Sequence, residues 1–265
     1  MTTPLALITG ATSGIGAAYA ELLAQQGFNL ILTGRREREL AQVCEQLTQR
    51  FGVTVEPLLV DLAVAAERQA LVQRVRSLPR LDVLINNAGY AQDGHFGRID
   101  WAAHQALLDV HIQAVCELTY AALPLLLAQR GRLVNVASVA SWLPTPQSAL
   151  YGPTKAFLRV FSETLALSYG RQGLQVQALC PGFTVTDFHW KLGIDPERFY
   201  RSHGLMRAWR APMVVARSWR DLQRGRIVCV PGWNYRLIVA LLRHVPMRVL
   251  HWAMSRAKVA RYGTD

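Results

Sequence analysis

The chain is poor in the residues that staple or metallate a protein. Cys44, Cys116, Cys180 and Cys229 are scattered through 265 residues. None sits in a Cys-x-x-Cys pair or at Cys/His metal spacing. A disulfide framework is therefore excluded, no metal site is expected, and free thiols in a reducing, cytoplasmic compartment are the expectation. No internal repeat or low-complexity tract interrupts the sequence. The first apolar segment is short and reads as a strand, so no secretory signal is expected there. Acidic residues are scarce towards one end. Residues 1–190 hold 14 Lys/Arg against 14 Asp/Glu, whereas residues 191–265 hold 15 against 4, so the whole net charge of +11 lies there.

What is present suits a large core. Hydrophobic residues make up 51% of the chain, and the length fits one large α/β domain. Strands are expected near 4–9, 29–33, 54–60, 82–86, 131–137, 174–180 and 226–230. Helices are expected near 15–26, 37–50, 64–77, 101–129, 150–171 and 213–223. This alternation argues for βαβ units in a single Rossmann-type, doubly wound parallel sheet of about seven strands with helices on both faces. Ligands of such sheets bind beyond the carboxyl ends of the strands. Thr9, Asn86, Ser138 and Cys180 all close predicted strands there.

The first strand runs into Thr9-Gly10-Ala11-Thr12-Ser13-Gly14-Ile15-Gly16, and a helix follows, with Gly27 as a C-terminal cap. Strand, glycine turn and helix are the setting in which backbone approaches a dinucleotide. Gly10 permits the turn, Gly14 admits the pyrophosphate, and Gly16 lets helix and strand pack closely. The helix N-terminus then offers N–H groups to phosphate. The second strand ends in Arg35 and Arg36 with no acid, which favours a 2′-phosphate over a free ribose hydroxyl, and Thr12 or Ser13 can add a hydroxyl contact. NADP(H) is expected in preference to NAD(H). The alternative for Arg36 is the start of a solvated helix face.

Tyr151 and Lys155 are four apart, so on a helix they share a face. A lysine ammonium there would lower the phenol's pKa, and a hydroxyl from Ser138 could orient a carbonyl or alcohol against it. Asp61-Leu62 follows the third strand and could equally cap the next helix. Asn86-Asn87-Ala88-Gly89 closes the fourth strand, and Pro181-Gly182 follows the sixth.

These motifs, in this order over about residues 4–190, resemble the main branch of the short-chain dehydrogenase/reductase family. The downstream run Val230-Pro231-Gly232-Trp233-Asn234 resembles a bacterial subgroup of poorly defined substrates. The resemblance implies a hydride carrier held by Gly10, Thr12, Ser13, Gly14, Ile15, Gly16, Arg35 and Arg36. It implies that Asp61 and Leu62 border the adenine and that Asn87, Ala88 and Gly89 line the adenine-ribose side. It places Pro181, Gly182, Thr184 and Thr186 beside the nicotinamide. Ser138, Tyr151 and Lys155 become the catalytic residues, with Tyr151 as general acid/base and Lys155 also holding the nicotinamide ribose. His111 stands where many relatives carry an asparagine that holds a water linked to the lysine. It could sustain a modified relay, or be a buried residue that keeps the helix kinked.

The implied function is an NADPH-dependent oxidoreductase that interconverts a carbonyl and an alcohol on a small apolar substrate. The alternative is a nucleotide-binding regulatory or scaffold protein that kept the fold. Aromatic residues such as Trp142, Phe183, Phe188, Trp190, Phe199, Tyr200 and Trp209 suit an apolar pocket. Arg198, Arg201, Arg207 and Arg210 could attract an anionic group. Residues 1–233 are read as the catalytic domain and 234–265 as a basic amphipathic extension packed on or beside it. Residues 237–242 are too short to cross a bilayer. The extension is read as a flap over the pocket or an oligomer contact, with peripheral membrane contact as the rival. No nucleic-acid module accompanies the charge. A homodimer or homotetramer is implied by the resemblance.

Overall fold

The structure is a computed structural model that describes residues 3–92, 94–145, 148–185 and 207–256, with side chains to 252. Seven strands form one parallel sheet: β1 (Leu5–Ile8), β2 (Asn29–Gly34), β3 (Val55–Leu59), β4 (Val83–Asn86), β5 (Arg132–Val136), β6 (Gln175–Leu179) and a last strand, Val228–Cys229. Their spatial order runs β3, β2, β1, β4, β5, β6 and then the last strand. The order reverses direction between β1 and β4, and a crevice opens there at the carboxyl ends.

The strands are apolar on both faces because both are covered. Ala6 and Ile8 point into one buried cluster, with Tyr19, Leu23 and Leu32, while Leu7 points into the other, with Leu84, Leu118 and Leu133. Each such leucine or isoleucine contributes roughly 1.5–3 kcal/mol by leaving water. The first cluster lies under α1 (Gly14–Gln25) and α2 (Glu37–Phe51); the second lies under α3 (Ala65–Arg76). Gly27 takes φ +79° just past α1, the left-handed turn expected of it.

The expected helix over 101–129 is interrupted. α4 (Trp101–Leu108) passes through a π turn, Asp109–Gln113, into α5 (Ala114–Ala128). By length and composition this stretch could cross a bilayer, but Leu107, Ala114, Leu118, Ala122 and Leu126 are buried in the protein. The wide turn aims His111 towards the strand ends while the flanking turns keep their apolar side on the sheet. α6 (Tyr151–Tyr169) packs beside β5 and β6.

The carboxyl-terminal part is tied to the same body. A two-stranded ribbon, β7 (Thr184–Val185) and β8 (Trp209–Arg210), leads into α7 (Ala211–Gln223). Val228–Cys229 is labelled β9. It is followed by α8 (Trp233–His244) and α9 (Met247–Arg256). Asn234 and Tyr235, at the start of α8, are buried. Asn234 Oδ1 accepts from Trp209 Nε1 at 3.0 Å, and its amide donates to the Arg207 carbonyl at 3.3 Å. A Cβ on Gly182 would lie 2.3 Å from the Tyr235 ring, so that glycine is where α8 meets the turn after β6.

Candidate active site

The site is assembled at the carboxyl ends of β1, β2, β4, β5 and β6. The glycine turn is held by Thr9. Its Oγ1 accepts from the N–H groups of Asn87 and Ala88, both at 3.0 Å, while Asn87 Nδ2 donates to the carbonyls of Thr9 and Gly10 at 2.9 Å. The turn after β1 and the turn after β4 are thereby one unit. Gly10 and Gly14 adopt φ +67° and +59°, which disfavours a side chain at either. A Cβ on Gly16 would sit 2.3 Å from the Gly10 carbonyl oxygen and 2.5 Å from Asn87 Nδ2. The spacing of the motif thus follows from close backbone contact.

Ser13 caps α1 in extended conformation without a side-chain bond to the helix, and the first turn of α1 carries no acid. The first N–H groups of a helix lack intrahelical partners and attract anions. Arg36, the residue that precedes α2, reaches across and donates to Thr12 Oγ1 at 2.8 Å and Ser13 Oγ at 3.2 Å. It therefore faces the glycine turn and is not simply the start of a solvated helix face. Arg35 is more exposed and pairs with Asp61 at 3.3 Å. A group with several negative oxygens fits this cradle of helix N–H groups, hydroxyls and two guanidiniums.

Asp61 accepts from the Ala63 N–H at 3.0 Å, and Val64, not Asp61, caps α3. Beside it, the buried Arg68 donates to the Leu62 carbonyl at 2.9 Å and to Glu117 at 3.0 Å, with Asp109 at 3.7 Å. This guanidinium fastens the Asp61-Leu62 loop to α5 and the π turn.

Ser138, Tyr151 and Lys155 converge. Ser138 ends the β5 segment, caps the 3-10 turn Val139–Trp142, and accepts from the Ala140 N–H at 3.1 Å. Its hydroxyl hydrogen-bonds the Tyr151 phenol. Burial pushes the Tyr151 pKa above its ordinary value, and the Ser138 bond opposes that rise. The expected lowering by Lys155 does not offset that rise, whose largest cause is burial. Lys155 Nζ donates to the Val136 carbonyl at 2.9 Å and lies 5.7 Å from the centre of the phenol ring. Burial brings the lysine itself down to about 8.

His111 is fully buried among these groups. Its Nε2 accepts from the Tyr90 N–H at 3.1 Å. Nδ1 must then carry the proton, and it donates to Thr154 Oγ1 at 2.9 Å. Thr154 in turn donates to the Tyr151 carbonyl at 2.9 Å. Burial, and then the Lys155 charge, hold the imidazole well below the usual histidine range. Both ring nitrogens are committed, so His111 serves as a neutral brace between the turn after β4 and the first turn of α6. Gly89 lies close to the tips of both side chains: a Cβ there would lie 2.9 Å from His111 Nε2 and 3.3 Å from Lys155 Nζ.

The turn after β6 closes the other side. Val139 N–H donates to the Pro181 carbonyl at 3.0 Å. Thr184 is buried, and its hydroxyl donates to the Gly182 carbonyl at 3.1 Å. Thr186, Phe188, Trp190, Arg198, Phe199, Tyr200 and Arg201 lie outside the described residues. Sequence reasoning missed Thr154 and Arg68. Thr154 carried a usable signal, since it lies between the two residues of the Tyr-x-x-x-Lys motif; Arg68 carried none.

Comparisons with known proteins agree with this fold. A family model described as short chain dehydrogenase matches residues 4–197. Sulfoacetaldehyde reductase 2 of Chromohalobacter salexigens is 36% identical over 188 residues, 69% of this chain and 74% of the relative. A short-chain dehydrogenase from Sphingobium yanoikuyae, solved in complex with NADPH, is similar over 98% of both chains, with TM-score 0.82 and 31% identity. The bulky-bulky ketone specific alcohol dehydrogenase from Comamonas testosteroni covers 99% of this chain and 98% of its own, with TM-score 0.76 and 27% identity.

Proposed function

The chain belongs to the short-chain dehydrogenase/reductase family, and from that membership we propose that it interconverts a carbonyl and an alcohol on an apolar substrate with NADP(H). The observation that carries this reading is the convergence of Ser138, Tyr151 and Lys155 at the end of β5. When bound, the nicotinamide supplies or accepts a hydride. The protein's own residues handle the proton and the fit. Ser138 and the Tyr151 hydroxyl bind the substrate oxygen, and Tyr151 donates a proton to it during reduction or removes one during oxidation. Lys155, with its pKa near 8, is poised to share a proton with its surroundings close to neutral pH. His111 and Thr154 hold the Tyr151 backbone in place.

Gly14 would admit the pyrophosphate at a turn that Gly10 and Gly16 make possible, and Arg35 and Arg36 would take the 2′-phosphate. Trp142, Leu143, Phe183 and Trp209 support an apolar substrate wall. Tyr120 and Leu167 are exposed on α5 and α6, with Phe157 and Val160 beside them on α6; these faces support a homo-oligomer, and sedimentation of a pure monomer would count against it.

Tyr151→Phe is the first test. It should abolish carbonyl-dependent oxidation of NADPH, by at least about a hundredfold, while NADPH still binds. Retained turnover would overturn the assignment. Wild-type protein that binds NADPH but oxidises it with no carbonyl in a broad panel would favour a nucleotide-binding regulatory role. Arg35→Asp/Arg36→Ala should weaken NADPH binding by tenfold or more and leave NADH binding within about twofold, read by fluorescence titration. Equal losses for both nucleotides would refute the 2′-phosphate role.

A further inference from the structure

We propose that a second, non-catalytic site on the outer edge of the sheet binds a small amphiphilic anion, a carboxylate or phosphate on a short apolar stem. A cavity of about 220 Å³ lies between β9 and α8. Arg236 and Arg243 line it from α8, with Val239 and Ala240 between them; the spacing 236, 239, 240, 243 is a single helical stripe. Arg226 enters from the turn before β9, and Val228, Val230 and Trp142 provide an apolar floor.

The charges do not balance. One carboxylate, Asp221, faces three lining guanidiniums. That carboxylate is already engaged, by Arg217 at 2.9 Å and by Arg226 at 3.7 Å. The Arg236 and Arg243 side chains make no ion pair or hydrogen bond among the described residues. They also belong to the stretch that holds all of the protein's excess positive charge. Two unpaired guanidiniums beside an apolar floor recognise an anionic head and an apolar stem together. A bare anion would leave the valines and Trp142 unused; a neutral alkyl chain would leave the arginines uncompensated.

The site borders the catalytic one through Trp142. This residue ends the 3-10 turn that Ser138 caps, and Arg159 stacks over its ring at 5.0 Å. A ligand in the cavity therefore touches the turn that orients Ser138. The proposal does not depend on the reaction assigned to the catalytic site.

Isothermal titration calorimetry of the full chain with octyl phosphate, below its micelle concentration, is the test. Saturable binding at one site is expected, weakened at least tenfold in Arg236→Gln/Arg243→Gln. The double variant should keep the wild-type melting temperature, because both residues are exposed. Inorganic phosphate should bind at least tenfold more weakly than octyl phosphate, and octanol should not bind. Absence of saturable binding, equal affinity in the double variant, or equal affinity for inorganic phosphate would each overturn the proposal. Binding to phosphatidylglycerol vesicles with none to octyl phosphate would overturn it as well, since the charge would then read a lipid surface.

Discussion

The neutrality of His111 can be tested through stability alone. The folded protein holds this imidazole well below the usual histidine range, because it is buried and faces the Lys155 ammonium. In the unfolded chain the ring takes up a proton near pH 6.5. Below that pH the unfolded state binds one more proton at this site than the folded state, so stability falls as pH falls. The limiting slope is about 1.4 kcal/mol per pH unit, or about 2 kcal/mol between pH 6.5 and 5. Asparagine can occupy the site without titrating. Urea melts of wild type and His111→Asn at pH 7.5 and pH 5.0 therefore give a double difference. Wild type should lose about 2 kcal/mol more than the variant on acidification, with equal m-values. The other histidines and the carboxylates titrate in both proteins and cancel. Equal losses would refute the neutral, doubly bonded imidazole, and a greater loss in the variant would reverse its sign.

Two further substitutions probe the frame around the site. Thr9→Val removes the acceptor of the Asn87 and Ala88 N–H groups; two orphaned donors should cost about 2–4 kcal/mol in a urea melt, and a loss below about 0.5 kcal/mol would show that water replaces the hydroxyl. Gly182→Ala puts a Cβ against the Tyr235 ring; overpacking there should cost about 1–3 kcal/mol, read as a lower melting temperature, and an unchanged one would mean that α8 moves aside freely.

The sheet was legible because its strands are short apolar runs at regular spacing, and burial on both faces enforces that pattern. Each predicted strand has its counterpart, from Leu5–Ile8 to Val228–Cys229. The glycine turn was legible because backbone approach forbids side chains at Gly10 and Gly16 whatever surrounds them. The π turn was legible only in part: a buried His111 that keeps the helix kinked was one of two readings, and its bonds to the Tyr90 N–H and Thr154 are tertiary contacts that sequence neighbours do not reveal. The direction of Lys155 was hidden for the same reason. Helical spacing places it beside Tyr151, but the Val136 carbonyl decides where the ammonium points. For Arg36 the sequence left a solvated helix face as the alternative; the bend between β2 and α2 sends it to the glycine turn and Arg35 to Asp61.

The two arginine links flanking the Asp61-Leu62 loop differ in strength, and that difference decides which of the two guanidiniums is available. Arg68 is buried and shared among the Leu62 carbonyl, Glu117 and Asp109, so breaking it would strand a charge away from water, at several kcal/mol. The Arg35–Asp61 pair is solvent-exposed, and such pairs contribute less than about 1 kcal/mol. The weak pair is therefore the one that opens first: the Arg35 side chain leaves Asp61 far more readily than Arg68 leaves α5, while the backbones stay joined because the Val60 N–H donates to the Gly34 carbonyl at 3.0 Å. The Arg35 side chain is in this sense a latch: a phosphate that claimed its guanidinium would release Asp61 at little cost, without disturbing the frame that carries His111.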